Sequence, residues 1–283
     1  MRHAILMTVY KDAELINFLL NKFYCDFDIY IHIDKKSSLT ANQIIKSPKI
    51  RVYKEFSIKW GGNNHTKAIL MLLAESRKKN YDYYHIVTGQ DVCLDPKNID
   101  SYLEYGYSYL EFFKIPSKGF SYNGGLWRVQ YFCFFDVFNA KNPWQYKLIK
   151  YLIKFQHKLH LIRKRDYSKL WGGSGYCSLY KKDVEVILQE SSQWSSYFKH
   201  TFCSEEFLFQ TILCNSPRKD FIINNNLRYI DWSSLNPPKI LGNNDIDKIL
   251  KSNMLFARKV DYNISKKLFN TILNEINDYN NML

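Results

Sequence analysis

The sequence predicts an α/β protein with a mostly parallel central sheet flanked by helices. Short apolar runs alternate with segments of helical period through the first half of the chain, a pattern typical of strand-helix-strand units. Of the 283 residues, 46% are hydrophobic and 17% are aromatic, which is enough to bury a large core. No run of about 18 apolar residues is present to span a bilayer. From the length and the apolar content we expect a single domain that covers residues 1–283.

The first half contains four predicted strands, at residues 4–10, 28–33, 50–53 and 83–88. Asp12 is predicted to cap a helix after the first strand, and Asn63 is predicted to cap a second helix before the fourth strand. The carboxyl ends of parallel strands form the ligand crevice of such sheets. We therefore expect Asp34 and Asp91, which follow two of these strands, to face the same rim.

The second half is less regular, with strands predicted at 107–113, 177–180 and 221–223, followed by the run Arg228-Tyr229-Ile230-Asp231-Trp232. A helix is predicted at 245–251, and a final helix is predicted to end near Tyr279. The glycines of Trp171-Gly172-Gly173-Ser174-Gly175 have two interpretations. They either let the backbone approach another group closely or form an ordinary turn before a strand.

The formal net charge of +13 indicates an acidic partner, which could be nucleic acid, a membrane surface or a phosphorylated substrate. The densest basic stretch, 145–169, is predicted to be a basic amphipathic helix. This helix either packs its apolar side on the core or binds a membrane at the interface. The six cysteines show no C-x-x-C pairing and are expected to be buried free thiols. Met1 is not followed by a signal-peptide pattern, so we expect a cytoplasmic protein.

Two adjacent carboxylates, Glu205 and Glu206, open the apolar helical segment 204–213. Ser204 is predicted to cap this helix, and acids in the first turn suit the positive end of the helix dipole. Capping alone could account for both acids. The functional alternative is a general base, because a positioned carboxylate can take the proton of an attacking hydroxyl.

Seven segments of the chain carry a resemblance to a known family. They are 31–37, Trp60-Gly61-Gly62, Thr88-Gly89-Gln90-Asp91, Gly173-Ser174-Gly175-Tyr176, 204–213, 228–232 and Phe256-Ala257-Arg258-Lys259. Their order along nearly the whole chain resembles the bacterial members of the core-2/I-branching β-1,6-N-acetylglucosaminyltransferase family. This family also includes the peptide O-xylosyltransferases.

The resemblance implies a glycosyltransferase A-type, Rossmann-like nucleotide-sugar fold. Residues 1–105 would form the nucleotide-binding half, and residues 106–283 the acceptor-binding and catalytic half. It further implies inverting transfer from UDP-GlcNAc, or less often UDP-xylose, without a cofactor or metal. Glu206 matches the position of the general base. Glu205 lies about 100° round the helix from it and is assigned to capping.

Basic side chains take the place of a metal ion at the diphosphate in this family. Lys259 matches the lysine that contacts the diphosphate, and Arg258 adds a second cation beside it. In animal members an upstream arginine assists that lysine. Its place here, 236–239, contains no arginine, so Lys239 or Arg258 is expected to replace it. The Asp-x-Asp patterns at 26–28 and 245–247 precede a strand and open a helix, so they are not interpreted as metal sites.

Other donor contacts follow from the same resemblance. Asp34 matches a position near the nucleotide, although a carboxylate there could equally cap the following turn. Gln90 and Asp91 are expected nearer the sugar, and Gly173 and Ser174 are also assigned to the donor site.

The acceptor is expected to contact Glu111, Arg128 and Trp232. The Trp232 ring either stacks on a sugar or belongs to the core. The acceptor would be a glycan or a lipid-linked glycan in bacterial surface polysaccharide synthesis. In that case 145–169 would touch the inner face of the cytoplasmic membrane peripherally.

The alternative function is a catalytically inactive protein of the same fold that acts at a membrane surface or on nucleic acid. Single-stranded nucleic acid binds where bases can stack on aromatics along a basic groove. In this chain the aromatics lie inside strand and helix patterns rather than between the basic residues. The sequence therefore favours the enzyme and no nucleic-acid partner.

Overall fold

The computed structural model describes residues 1–235 and 238–281. The strands are β1 (His3–Val9), β2 (Asp28–Ile33), β3 (Ile50–Tyr53), β4 (Tyr83–Thr88), β5 (Asp91–Cys93), β6 (Ser108–Tyr109), β7 (Phe113–Lys114), β8 (Trp171–Gly172), β9 (Ser178–Tyr180), β10 (Ile222–Ile223), β11 (Arg228–Ile230) and β12 (Phe256–Arg258). The helices are α1 (Ala13–Lys22), α2 (Asn64–Arg77), α3 (Trp127–Gln130), α4 (Pro143–Lys158), α5 (Lys181–Phe198), α6 (Glu205–Cys214), α7 (Ile246–Leu250) and α8 (Lys266–Asn281).

The main sheet has, within these described residues, seven strands in the order β10-β6-β9-β4-β1-β2-β3. Strands β3, β2, β1 and β4 are parallel to one another. Strand β9 runs antiparallel to both of its neighbours, β4 and β6. The prediction of an α/β chain with a mostly parallel central sheet is therefore confirmed.

Strand β1 is buried along its whole length, with a hydrophobic layer on each face. Ile5, Met7 and Val9 belong to the layer that contains α1 and α8, whereas Ala4 and Leu6 belong to the layer of α2, α5 and α6. Successive side chains of a strand point to opposite faces, so this alternation buries β1 from both sides. In the strand order β1 lies between β4 and β2. Its carboxyl end therefore lies in the middle part of the rim formed by the parallel strands.

A smaller sheet, β11-β12-β5, lies beside this rim. Strand β12 pairs antiparallel with β5, which places Arg258 opposite Asp91. Strand β5 follows β4 directly, after the turn at Gly89-Gln90. The pairing therefore carries Lys259, the residue after β12, to the carboxyl end of β4.

The two predicted helix caps in the first half have different outcomes. Asp12 caps α1 as predicted, because its Oδ1 accepts the amide hydrogen of Leu15 at 3.1 Å. Asn63 precedes α2 but does not cap it with its side chain. The Asp136 carboxylate accepts the amides of Asn63 and Asn64, at 2.9 and 3.2 Å, and satisfies the helix end from another part of the chain.

Two predicted elements were wrong in extent. The strand predicted at 107–113 is two short strands, β6 and β7, which belong to different sheets. They separate because Leu110 still bonds Ile223 of β10 while Phe112 bonds the side chain of Asn224. The helix predicted at 145–169 is α4, which ends at Lys158, and His160 then adopts a left-handed φ of 53°.

The cysteines other than Cys25 are buried free thiols, as predicted, whereas Cys25 is exposed. Burial raises the pKa of the Cys177 thiol to about 12, so this group stays protonated and unreactive. Among the helices in the described part of the chain, none combines the length and apolar character needed to cross a bilayer.

Candidate active site

The first turn of α6 holds Glu206 against a buried arginine from α3. Arg128 Nη2 donates to Glu206 Oε2 at 2.7 Å, and Arg128 Nε donates to the carbonyl of Phe202 at 3.1 Å. The guanidinium lies over the rings of Phe120, Phe202 and Phe207, 4.9, 5.0 and 4.8 Å from their centroids. The side chain of Arg128 is 4% exposed and that of Glu206 is 34% exposed. Glu206 is therefore fixed on one side and open to a ligand on the other.

Electrostatics leave this carboxylate more basic than usual. Burial raises the pKa of Glu206, the Arg128 charge lowers it, and the charges of Glu205 and Glu111 raise it again. The net direction is upward. A raised pKa brings a carboxylate closer to neutral pH, which suits a group that accepts a proton during a reaction.

Glu205 points away from Glu206, as its position on the helix predicts, and bridges α6 to α2. Its Oε1 lies 3.1 Å from His65 Nδ1, and His65 Nε2 lies 3.2 Å from Thr8 Oγ1 at the end of β1. Burial raises the pKa of Glu205, but the hydrogen bond and charge of His65, a backbone hydrogen bond and the charge of Arg128 together lower it below its usual value. Glu205 therefore keeps its place in the first turn of α6 and also forms a partly buried pair with His65 across two helices.

Ser204 does not cap α6 with its side chain, so that prediction was wrong. The Ser204 hydroxyl donates to Asn63 Oδ1 at 2.6 Å and lies 2.7 Å from the hydroxyl oxygen of Thr66. Because the side chain is buried in this polar contact with α2, it cannot also reach the amides of the first turn.

The glycine segment before β9 packs between the start of α6 and the backbone of Glu111. Gly173 donates its amide hydrogen to the Glu206 carbonyl at 3.0 Å, and a Cβ on Gly173 would lie 1.9 Å from the Glu111 carbonyl oxygen. Gln210 Nε2 donates to the Ser174 carbonyl at 2.7 Å. The close approach that glycine permits here is to the chain itself. Donor contacts of Gly173 and Ser174 stay predictions.

Arg258 and Asp91 form a buried ion pair on the other side of this segment. Arg258 Nε lies 2.8 Å from Asp91 Oδ1, and their side chains are 7% and 2% exposed. The guanidinium lies 3.8 Å from the centroid of the Tyr176 ring, and Asp91 Oδ2 accepts the Thr88 amide at 2.5 Å. Arg258 was predicted as a second phosphate cation and Asp91 as a sugar contact. The two side chains pair with each other through Arg258 Nε, and separating a buried pair is costly. Their contacts with the diphosphate and the sugar stay predictions.

Lys239, the other predicted second cation, is also engaged. Its Nζ lies 2.6 Å from Asp245 Oδ1 and 3.8 Å from Asp231 Oδ2. It therefore compensates the charge of Asp245, the residue before α7, rather than presenting a free charge. Asn236 and Pro237, where the resemblance expected the assisting arginine, lie outside the described residues.

Lys259, Lys11 and Lys141 form a cluster of three lysines near the carboxyl end of β1. The ammonium groups of Lys11 and Lys141 lie 5.7 and 5.0 Å from the centroid of the Tyr10 ring. Burial, followed by the neighbouring Arg258 charge, lowers the pKa of Lys259, and Lys11 and Lys141 act in the same direction. Among the side chains that the structure describes, residues 1–235 and 238–274, none of these three ammonium groups has a carboxylate partner within ion-pair distance. Such a cluster favours a dianionic or trianionic ligand.

The sequence interpretation missed Lys11 and Lys141. Lys11 had a usable signal, because it directly follows the first predicted strand and therefore lies at the rim of the sheet. Lys141 had none, since it is far from β1 in sequence and is brought there by the segment that precedes α4.

Asp34 and Gln90 have structural partners at the same rim. Asp34 Oδ1 accepts the amide hydrogens of Lys36 and Ile58 at 3.2 and 2.9 Å, so the turn-capping alternative is confirmed. The Gln90 carbonyl accepts the Val260 amide at 2.9 Å and ties the turn after β4 to the residue beyond Lys259. Their contacts with a nucleotide sugar stay predictions.

The acceptor residues differ in accessibility. Glu111 is exposed and lines an open hollow of about 450 Å³ together with Phe112, Phe113 and Asn224, Asn225 and Asn226. Trp232 is 64% exposed, so the alternative that it is a core residue was wrong. Arg128 pairs with Glu206 and is nearly inaccessible, at 4% exposure, and its contact with an acceptor stays a prediction.

One carboxylate of each Asp-x-Asp pattern, Asp28 and Asp245, serves local contacts. Asp28 Oδ1 lies 3.4 Å from Arg51 Nη1 and 3.9 Å from Lys79 Nζ. Asp245 Oδ2 accepts the Gly242 amide at 2.9 Å, and its other oxygen pairs with Lys239. Within the residues described, no group of three or more His, Cys, Asp or Glu side chains is arranged to hold a metal ion.

A positioned carboxylate and a cluster of lysines on the rim of a mostly parallel sheet are typical of an α/β group-transfer enzyme with a phosphorylated substrate. The chain belongs to the core-2/I-branching enzyme family, whose profile matches residues 4–251. It is therefore a glycosyltransferase, with a nucleotide-sugar donor and a glycan acceptor. The match contains Arg128 and Glu206 and ends before Arg258 and Lys259. No curated protein matches the chain.

Proposed function

We propose that this glycosyltransferase moves GlcNAc, or xylose, from a UDP-sugar to a glycan hydroxyl with inversion, and that Glu206 is the general base. The observation that carries the proposal is the pairing of Glu206 with Arg128. This pairing fixes one carboxylate oxygen while a third of the side chain stays exposed. The neighbouring Glu205 is less exposed, at 13%, and is held by His65.

The reaction is a single displacement. The acceptor hydroxyl gives its proton to the Glu206 carboxylate as its oxygen bonds to the anomeric carbon. The bond between this carbon and the diphosphate oxygen breaks on the opposite face, and UDP leaves with the electron pair. The configuration at the anomeric carbon is therefore inverted. Arg128 keeps the carboxylate oriented and, as a positive charge, stabilises it before proton transfer.

The leaving diphosphate is proposed to bind Lys259, Lys11 and Lys141. Ammonium groups stabilise the negative charge that develops on the leaving oxygen, the task that a divalent metal performs in many transferases. This assignment replaces Arg258 and Lys239 as the second cation, because each of those has a carboxylate partner within 2.8 Å. We propose that no metal is required.

The proposal extends to an A-type fold and to a place in bacterial surface polysaccharide synthesis in the cytoplasm. The order β3-β2-β1-β4 of parallel strands, with the lysine cluster at the end of β1, supports the first part. The second part rests on the family resemblance alone.

The experiment is an activity screen with UDP-GlcNAc, UDP-xylose and other UDP-sugars in EDTA, with the product anomer read by NMR. Transfer or slow hydrolysis that yields the inverted anomer is expected. A salt-dependent titration with single-stranded nucleic acid is run in parallel. Binding of nucleic acid with no turnover of any UDP-sugar would favour the inactive binding protein instead.

A further inference from the structure

Helix α4 carries a second apolar stripe that no described part of the chain covers. Its inner side packs on the protein through Ile149, which is 1% exposed. On its outer side, Trp144 is 80%, Leu148 41%, Tyr151 64% and Phe155 46% exposed. These four residues are spaced by four, three and four positions and therefore lie on one face. The outer face of an ordinary surface helix would be polar.

The surroundings of this stripe are uniformly basic. No acidic residue occurs between Asp136 and Asp166. Four exposed lysines border the stripe: Lys147, Lys150, Lys154 and Lys158. The apolar surface continues past the end of the helix, where Leu159, Leu161 and Ile162 are 50%, 52% and 45% exposed.

We infer that this face of α4, which we call the α4 surface, binds the anionic surface of a phospholipid bilayer. Aromatic and aliphatic side chains on one face, flanked by lysines, are the composition of helices that lie in the membrane interface. The rings and aliphatic side chains would enter the acyl boundary while the lysines meet the phosphate head groups.

Other occupants fit this surface less well. A second copy of the chain would bring the same lysines against one another across a two-fold interface, which costs affinity. Nucleic acid would satisfy the lysines but would leave Leu148 and Phe155 without an apolar partner.

The structure excludes Arg163 and Leu152, two residues of the segment 145–169, from the membrane contact. Arg163 is 5% exposed and donates to the carbonyls of Val129 and Lys199, so it faces inward. Leu152 is partly buried on the inner side of the helix. The contact is therefore formed by the outer stripe of α4 and its lysines, together with the residues just after Lys158.

The α4 surface lies close behind the proposed general base. Ile149 and Ile153 pack in a small cluster with Phe135 and Phe202, whose ring centroids are 4.5 Å apart. The Phe202 carbonyl in turn holds Arg128. This chain of contacts keeps Glu206 near α4, so an enzyme bound through α4 would hold its general base close to the bilayer. The acceptor class that this geometry favours is a glycan carried by a membrane lipid, an inference that rests on the proposed function.

Vesicle flotation with the full chain tests the inference. Binding is expected to vesicles that contain phosphatidylglycerol and to be lost in pure phosphatidylcholine or at high salt. Trp144→Ser with Phe155→Ser should lower the partition coefficient at least about tenfold. Lys150→Glu with Lys154→Glu should lower it at least about thirtyfold. The matched controls are Leu250→Ser with Ile264→Ser and Lys67→Glu with Lys182→Glu, which change exposed residues elsewhere and should bind normally.

The inference would be overturned if the control variants lost as much vesicle binding as the α4 variants, or if the wild type did not bind anionic vesicles. A dimer in light scattering that the Trp144 and Phe155 substitutions dissociate, without vesicle binding, would assign the surface to a second copy.

UDP affinity is measured for every variant. Normal UDP binding without vesicle binding contradicts only the membrane inference, whereas vesicle binding without UDP binding contradicts only the proposed function.

Discussion

Arg128 Nη2 lies 2.7 Å from Glu206 Oε2, although the two residues are 78 positions apart in the chain. The pair joins α3 to the first turn of α6, and three aromatic rings surround the guanidinium. An exposed ion pair of this kind would be mobile and screened by salt. Because the arginine is buried, the carboxylate instead has a defined direction, which a general base requires.

The pH dependence of transfer should report this pair. Glu206 acts as a base only when deprotonated, and burial raises its pKa, so kcat/KM should fall as the pH drops through that raised value. Arg128→Met removes the charge that lowers the pKa of Glu206, so the acid limb should move to higher pH. Arg128→Lys retains the charge and should shift the limb less. An acid limb that is identical in all three proteins would show that another group titrates.

The lysine cluster should control UDP affinity. Replacing Lys259, Lys11 or Lys141 individually by Ala should weaken UDP binding by about 10-fold to 100-fold, since each loses a charge-assisted contact to phosphate. Lys239→Ala is the matched control, because its ammonium is held by Asp245, and it should change UDP affinity little. Isothermal titration in EDTA measures these values. Strict dependence of transfer on added manganese or magnesium would contradict the metal-free arrangement.

The Arg258–Asp91 pair should govern stability. Arg258→Met leaves the Asp91 carboxylate buried without its partner and should lower the free energy of unfolding by about 3–5 kcal/mol. Adding Asp91→Asn removes the uncompensated charge and should recover much of that loss. Urea unfolding of the wild type, both single variants and the double variant measures the coupling. Additive losses would indicate that the two side chains do not depend on each other.

Local patterns predicted the elements that lie in one stretch of sequence. Strand β2 has the predicted bounds, and the Asp12 cap forms because its partner amide is three residues away. The predictions that failed depend on distant groups. Ser204 bonds Asn63 and Thr66 instead of its own helix. Residues 107–113 divide because β6 pairs with β9 and β10 whereas β7 pairs with β8, and all three partners lie far along the chain.

In the candidate site, too, features set by local sequence could be predicted, whereas contacts with distant residues could not. Glu206 could be singled out from the sequence by its place at a helix start and by the family resemblance. Its arginine partner, however, was assigned to the acceptor. Arg258 sits beside Lys259 in sequence, yet it pairs with Asp91 because β12 and β5 are antiparallel neighbours. Such pairings decide which cations remain free to bind a ligand. They join residues that are far apart in the sequence, so local patterns do not predict them.

Glu206→Gln tests the central claim most directly. The amide retains the size of the side chain but cannot accept the acceptor's proton, so transfer should fall by about 10²-fold to 10⁴-fold. UDP affinity should stay near that of the wild type, whereas thermal stability should fall, because the nearly buried Arg128 loses the charge of its partner. Glu104→Gln, the same substitution at an exposed position, should retain full activity. Transfer by Glu206→Gln at a near-normal rate, with the donor bound normally, would contradict the assignment of Glu206 as the general base.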